Sequence, residues 1–256
     1  MKRMEKKSIS ILFVGESCMV HTMEFKGYDC FTGTRYHESA GIMKKLFEKE
    51  GHSFTHIPCH MVASDFPTDL ESLQKYDVIL MSDIGSNTML LHPDTARFCK
   101  RTVNTLKLIK EYVENGGGFG MIGGYMTFQG IEGKGKYKDT YIEEILPVNL
   151  LPYDDRYEAP EGVDLCADPD SHIILKGLPE KWPFILGYNR LIPKEGAEVL
   201  VKNGKDPIIS VAHFGKGRTL AYATDCTPHW AHPAMYEWEY YGTMWDRLVL
   251  WLAGKL

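Results

Sequence analysis

The chain has 256 residues, ample length for a buried core, and its 44% hydrophobic, 25% charged and 12% aromatic content excludes a disordered or fibrous protein. Lysine and arginine number 29 against 34 aspartate and glutamate, a net charge of −5, so nucleic acid and anionic membrane are not expected as partners. The six cysteines, Cys18, Cys30, Cys59, Cys99, Cys166 and Cys226, form no C-x-x-C pair and are too sparse for a disulfide scaffold, which points to a reducing compartment.

Residues 2–7 are basic and residues 9–15 (ISILFVG) apolar, as at the start of a signal peptide. Glu16 ends that run at once and no small-residue cleavage site follows. No segment reaches the 18 apolar residues of a membrane span, so the expectation is a cytoplasmic protein. Residues 9–15 instead read as a strand buried on both faces of a parallel sheet, followed by a polar, glycine-rich loop. Apolar residues at helical spacing predict a first helix over 37–50, closed by Gly51. Residues 52–58 alternate as a strand, a short helix lies near 69–76, and residues 77–82 form another apolar strand. A long helix is predicted over 97–115, ended by three glycines that lead into a strand over 119–123.

Strand and helix alternating over about 120 residues imply right-handed crossovers and a doubly wound sheet. The prolines of the second half mark irregular connections and added antiparallel strands. Strands are predicted over 198–202, 208–213 and 218–223, the last two joined by Gly215, Lys216 and Gly217. A packing helix over 238–252 closes the chain. With no internal repeat and no low-complexity linker, one α/β domain over residues 1–256 is expected.

In such a sheet, ligands bind beyond the carboxyl ends of the strands, where strand order reverses. The residues to inspect therefore follow each strand: Glu16, Ser17 and His21; His60; Asp83, Ser86 and Asn87; Tyr125, Thr127 and Gln129; and Asp225, Cys226, Thr227, His229 and Trp230. The run GMIGGYMTFQG (120–130) has the small residues of a nucleophile elbow, but Gly123, Gly124 and Tyr125 stand where a nucleophile would be. A plain glycine-lined strand end without catalysis is the favoured reading. No G-x-G-x-x-G loop follows the first strand, and no cofactor is expected.

The run DCTPHWAHP (225–233) offers Asp225 and His229 as a carboxylate–imidazole pair. Asp225 and Thr227 could equally cap a turn. His229 and His232 would make two metal ligands, but no third is visible and no metal is expected. Cys226 beside His229 would make a nucleophile and base, against the commoner outcome of an inert, buried thiol.

The segments GGGFGMIGGYMTFQG, HIILKGLPEKWPFILGYN, FGKGRTLAYATDCTPHW and WEYYGTMWDRLVLWLAG resemble the uncharacterised glutamine amidotransferase-like family of the class I glutamine amidotransferase-like superfamily, which has trehalose-utilisation-type proteins among its neighbours. The resemblance covers nearly the whole chain and implies a three-layer α/β/α sandwich of flavodoxin-like type, with a mostly parallel sheet. Active members of that superfamily use an elbow cysteine with histidine and glutamate. This sequence has neither the cysteine nor an H-x-E pair, so glutamine hydrolysis by that route is not expected.

Two uses remain open. One is a diverged small-molecule hydrolase with Tyr125, Asp225 and His229 as acid–base groups, and Glu16, Ser17, Asp83, Gly124, Gln129, Thr227 and Trp230 binding substrate. The other is a non-catalytic module binding a polar, carbohydrate-like metabolite, with Tyr125 and Trp230 as stacking faces. In either case the partner is a small polar metabolite. Trp182, Trp230, Trp238, Trp245 and Trp251 offer aromatic surface for a homo-oligomer interface.

Overall fold

A computed structural model describes residues 8–256, and the basic stretch at 2–7 falls outside the described residues. Strands β1 (Ser10–Gly15), β4 (Ser53–Ile57), β5 (Val78–Ser82), β6 (Gly118–Ile122), β11 (Glu198–Asn203), β12 (Asp206–Phe214) and β13 (Gly217–Tyr222) form one seven-stranded sheet. Its order is β11-β12-β13-β6-β5-β1-β4. The five strands from β4 to β13 pair in parallel, and β12 and β11 add antiparallel at one edge.

The parallel strands are apolar on both faces because both are covered: Ile11–Val14 and Val78–Met81 have no exposed surface. Helices α1 (Gly41–Lys49) and α3 (Tyr241–Leu252) pack together, α1 on β4 and α3 on β6 and β13, while α2 (Thr105–Glu114) packs on β13 and on the short helices Leu70–Leu73 and Tyr141–Ile145. This is the mostly parallel α/β sandwich with antiparallel additions that the sequence implied. Two further ribbons, β7 (Val148–Leu150) with β10 (Leu191–Pro193) and β8 (Arg156–Cys166) with β9 (Lys181–Asn189), come from the proline-rich half.

Four local expectations are corrected. The polar loop after β1 is instead a ribbon of two ten-residue strands, β2 (Ser17–Lys26) and β3 (Asp29–Glu38), turning at Gly27. Solvent reaches both of its faces, so it lacks the contrast between a buried and an exposed face that makes a strand legible. The first helix consequently starts at Gly41, with His37 and Glu38 in β3. The long helix over 97–115 is two helices. Pro93–Phe98 ends with Cys99 in a left-handed conformation (φ 54°), and α2 starts afresh where the Asn104 side chain accepts the Lys107 N–H at 3.0 Å. The closing helix begins at Tyr241.

The tryptophans give no surface: Trp182, Trp230, Trp245 and Trp251 are buried and Trp238 half-buried. They fill the space between the sheet, α3 and β9. No helix among the described residues is long and apolar enough to cross a membrane.

Candidate functional site

Strand β1 pairs with both β4 and β5, so successive crossovers leave it in opposite directions and the crevice opens beside its carboxyl end. Glu16 follows β1, Asp83 follows β5, Gly123 to Tyr125 follow β6, and Asp225 to His229 follow β13. Because these four strands are neighbours, their next residues meet. They enclose a cavity of about 160 Å³ lined by Glu16, Ser17, Cys18, His37, Ser39, Asp83, Tyr125, Asp225, Thr227, Pro228 and His229. Three of these residues have unusual backbone for side-chain-bearing residues: Glu16 (φ 52°), Asp83 (φ 45°) and His229 (φ 155°). Such strain persists only where the surrounding structure enforces it, and it clusters at functional sites.

The centre of the site is a dyad in which Nδ1 of His229 lies 2.7 Å from Oδ2 of Asp225, which also accepts the Trp230 N–H at 3.0 Å. This leaves Nε2 of the imidazole for the cavity. Burial holds the Asp225 carboxyl above its ordinary range, against the lowering effect of the His229 contact. Burial also lowers the His229 pKa, but the Asp225 hydrogen bond and charge, with Glu158 and Asp83, outweigh it and the net shift is upward.

Glu16 is the second acid–base group. Its carboxylate accepts the Ser82 hydroxyl at 2.6 Å and the Thr227 hydroxyl at 2.9 Å. Burial pushes its pKa from 4.5 to about 7; the Ser82 hydrogen bond opposes this, and the charges of Asp225 and Asp83 add to it. Asp83 accepts the Met126 N–H at 2.9 Å and is likewise raised by burial. The cavity thus holds three carboxyl groups with raised pKa values and the imidazoles of His229 and His37.

The elbow is held by a polar clamp. Asn189, at the end of β9, accepts the Gly124 N–H at 3.0 Å and donates to Gly124 O at 3.2 Å and to Asp155 Oδ1 at 2.7 Å. Asp155 in turn accepts the N–H groups of Gln129 and Gly130, both at 2.9 Å. No side chain fits at Gly123, where a Cβ would lie 2.3 Å from Ala223 O. One at Gly124 would stand 3.0 Å from both Asp83 Oδ1 and Asp225 Oδ1, so glycine there leaves the two carboxylates facing the cavity.

Tyr125, Asp225, His229, Glu16, Ser17, Asp83 and Thr227 therefore come together, with Gly124 beneath them. Two expected ligand contacts lie elsewhere. Gln129 is buried, its side-chain oxygen accepting the Lys138 N–H at 3.2 Å, because the loop after Tyr125 folds back under the Asp155 clamp. Trp230 is only 1% exposed, so it is no stacking face for a ligand. Its ring stacks on His229 (5.1 Å) and meets the edge of Tyr125 (5.8 Å), and its Nε1 donates to Glu158 at 2.9 Å.

The Tyr125 hydroxyl also donates to Glu158, at 3.1 Å, its ring meets that of His229 edge-on at 4.4 Å, and the Arg156 guanidinium covers it at 4.8 Å. Cys226 is buried beside Ser82 and Glu16, and burial drives its thiol pKa far up, so it is not paired with His229. His232 caps the short helix Pro233–Tyr236 through the Ala234 N–H. His21 bonds Thr34 on the exposed ribbon, and His60 and Asn87 line a second cavity. Among the described residues no group of three His, Cys, Asp or Glu is arranged to hold a metal ion.

Asp155, Asn189, Glu158 and Arg156 were missed by the sequence reading. They lie on or beside β8 and β9 and reach the elbow only through long-range pairing, so no local signal announces them.

Residues 10–254 match a family described as "putative glutamine amidotransferase". Two solved structures, the cytoplasmic proteins STM3548 of Salmonella typhimurium and STM1381 of Salmonella typhimurium LT2, are each 40% identical with a TM-score of 0.91. They cover 94% and 95% of this chain, and 98% and 99% of their own. A ThuA-like protein of Parabacteroides merdae shares the fold at 14% identity, with a TM-score of 0.59 over 98% of this chain and 92% of its own. A comparison with curated proteins found no match.

Proposed function

The chain belongs to the glutamine amidotransferase-like family matched over residues 10–254, and from that premise we propose that its strand-edge cavity performs acid–base chemistry on a small, polar, non-anionic metabolite instead of hydrolysing glutamine. The observation that carries this reading is the His229–Asp225 pair at 2.7 Å in a cavity shared with Glu16. Asp225 fixes the imidazole tautomer and stabilises the imidazolium, so Nε2 of His229 is the general base toward a bound hydroxyl or water. Glu16, with a pKa of about 7, exists in both protonation states near neutrality, which suits a group that gives and takes back a proton. The Tyr125 hydroxyl is committed to Glu158, so Tyr125 positions the His229 ring.

Charge selects the ligand. The cavity lining contains the carboxyls of Glu16, Asp83 and Asp225 and no lysine or arginine. The nearby Arg156 is engaged by Asp154 and Glu158. The α-carboxylate of glutamine would face three carboxyls and no lysine or arginine there, and the elbow offers no thiol. A neutral ligand rich in hydroxyl donors meets waiting acceptors instead. The reducing-compartment composition, together with relatives described as cytoplasmic, supports a cytoplasmic location.

The test is a ligand screen by thermal shift and turnover over neutral polyols, their esters, amides and glycosides, and matched carboxylates. We expect neutral hydroxyl compounds to raise Tm and carboxylates to leave it unchanged. Turnover of a hit should be lost in His229→Gln while its binding survives. Glutamine hydrolysis by the purified protein, or stabilisation by carboxylates alone, would overturn the proposal. The second reading, a binding module without turnover, is favoured by the missing nucleophile. It is distinguished by a hit that binds wild type and His229→Gln equally and is never converted.

A further inference from the structure

The β2–β3 ribbon is unaccounted for by the site chemistry. Its ten-pair register puts Met19, His21, Met23 and Phe25 on one face with Tyr36, Thr34, Thr32 and Cys30, while Glu24, Lys26, Phe31, Arg35 and Asp29 lie on the other. Among the described residues it is fastened at its root. Ser17 Oγ accepts the Cys59 N–H at 2.8 Å, and Tyr36 meets the His60 ring edge-on at 5.3 Å. Every residue from His21 to Glu38 is exposed, Phe25 by 70% and Tyr28 at the turn completely. An isolated two-stranded ribbon is marginal in water, and an exposed apolar one invites association.

A receiving surface exists on the same chain. A second cavity of about 530 Å³ beside the ribbon root is walled by Met19, Cys59, Ala63 and Leu91, with Asn87 and Thr88 at its side. Leu91 is half exposed. The ribbon cannot fill this groove itself. Met19 forms part of the wall, and at ~3.3 Å per residue the turn at Gly27 lies roughly 26 Å further along the ribbon.

We propose that a second copy of this chain occupies the groove: two molecules exchange ribbons about a two-fold axis, and the tip of each, Phe25 with Tyr28 at the turn, seats against Leu91 and Ala63 of the other. Tip and groove on one chain make the contact self-complementary, and a two-fold closes it. The ribbon face beyond Met19, about 26 Å long and 10 Å wide, covers roughly 260 Å². Each copy gives one face and receives one, so the pair buries on the order of 1,000 Å², the size at which specific interfaces begin. Since Ser17, Cys18 and His37 of the ribbon root also line the catalytic cavity, the exchange would brace one wall of that site.

Sedimentation velocity across micromolar concentrations tests this. Wild type should be a dimer, and Phe25→Glu and Leu91→Glu should each weaken association by roughly 30-fold or more. Both positions are solvent-exposed, and an unchanged Tm shows that the fold survives. Mixing the two variants should restore a dimer, because one of the two exchanged contacts is then intact. A monomeric wild type, a variant that still dimerises like wild type, or a mixture that stays monomeric would overturn the proposal.

Discussion

Replacing Glu16 by glutamine gives the sharpest test of the site's electrostatics. Glutamine has the same shape, and the Ser82 and Thr227 hydroxyls can rotate to bond its amide, so the perturbation is the loss of ionisation alone. The carboxyl pKa is about 7 in the folded protein against an ordinary 4.5. Below pH 4.5 the group is protonated in both folded and unfolded chains. Between pH 4.5 and 7 only the unfolded chain releases the proton, so stability falls as pH rises, and above 7 the loss is complete. At 1.36 kcal/mol per pH unit the loss is about 3 kcal/mol. Glu16→Gln should therefore match wild type at pH 4.5 and exceed it by about 3 kcal/mol at pH 8, or roughly 6–12 °C in Tm for a chain of this size. Urea unfolding of both proteins across that range is the assay. Asp83, Asp225 and His229 titrate in both proteins and largely cancel in the difference. A difference that does not change between pH 4.5 and 8 would refute the raised carboxyl.

The remaining predictions concern the dyad and the elbow. In Asp225→Asn, burial still lowers the His229 imidazole pKa while the partner that raises it is lost, so its NMR titration midpoint should fall below that of wild type. Gly123→Ala drives a methyl to 2.3 Å from Ala223 O and should cost about 3 kcal/mol or more in denaturant unfolding. Asn189→Ala strands the Gly124 N–H and removes one of the three hydrogen bonds on the Asp155 carboxylate, a loss of about 2–4 kcal/mol by the same measurement. Gly124→Cys restores a thiol near the elbow, but between two carboxylates. It should alkylate slowly at pH 7 and release no ammonia from glutamine.

The buried strands were legible because a strand covered on both faces is a continuous apolar run, as in residues 78–81. The site was legible from the same logic, since residues that follow adjacent parallel strands must meet. That placed Glu16, Asp83, Tyr125, Asp225 and His229 together without any motif. Gln129 and Trp230 broke the rule because the loops carrying them fold back, one held by Asp155 and the other packed beneath His229. The ribbon escaped notice for a physical reason: with solvent on both faces, it carries no burial pattern. The break at Cys99 was hidden because Phe98 and Val103 keep a helical spacing although both are exposed.

The left-handed turns at Glu16 and Asp83 bear on how a ligand would be met. A side chain on a free rotamer must be ordered when it binds, typically at about 0.5–1.5 kcal/mol each. At these positions the backbone, pinned by the Glu16 N–H to Ser82 O bond and by the Met126 N–H on Asp83, sets the direction of each carboxyl before any ligand arrives. The strain held in this backbone thus becomes entropy that binding does not lose, and free and ligand-bound cavities should superpose closely.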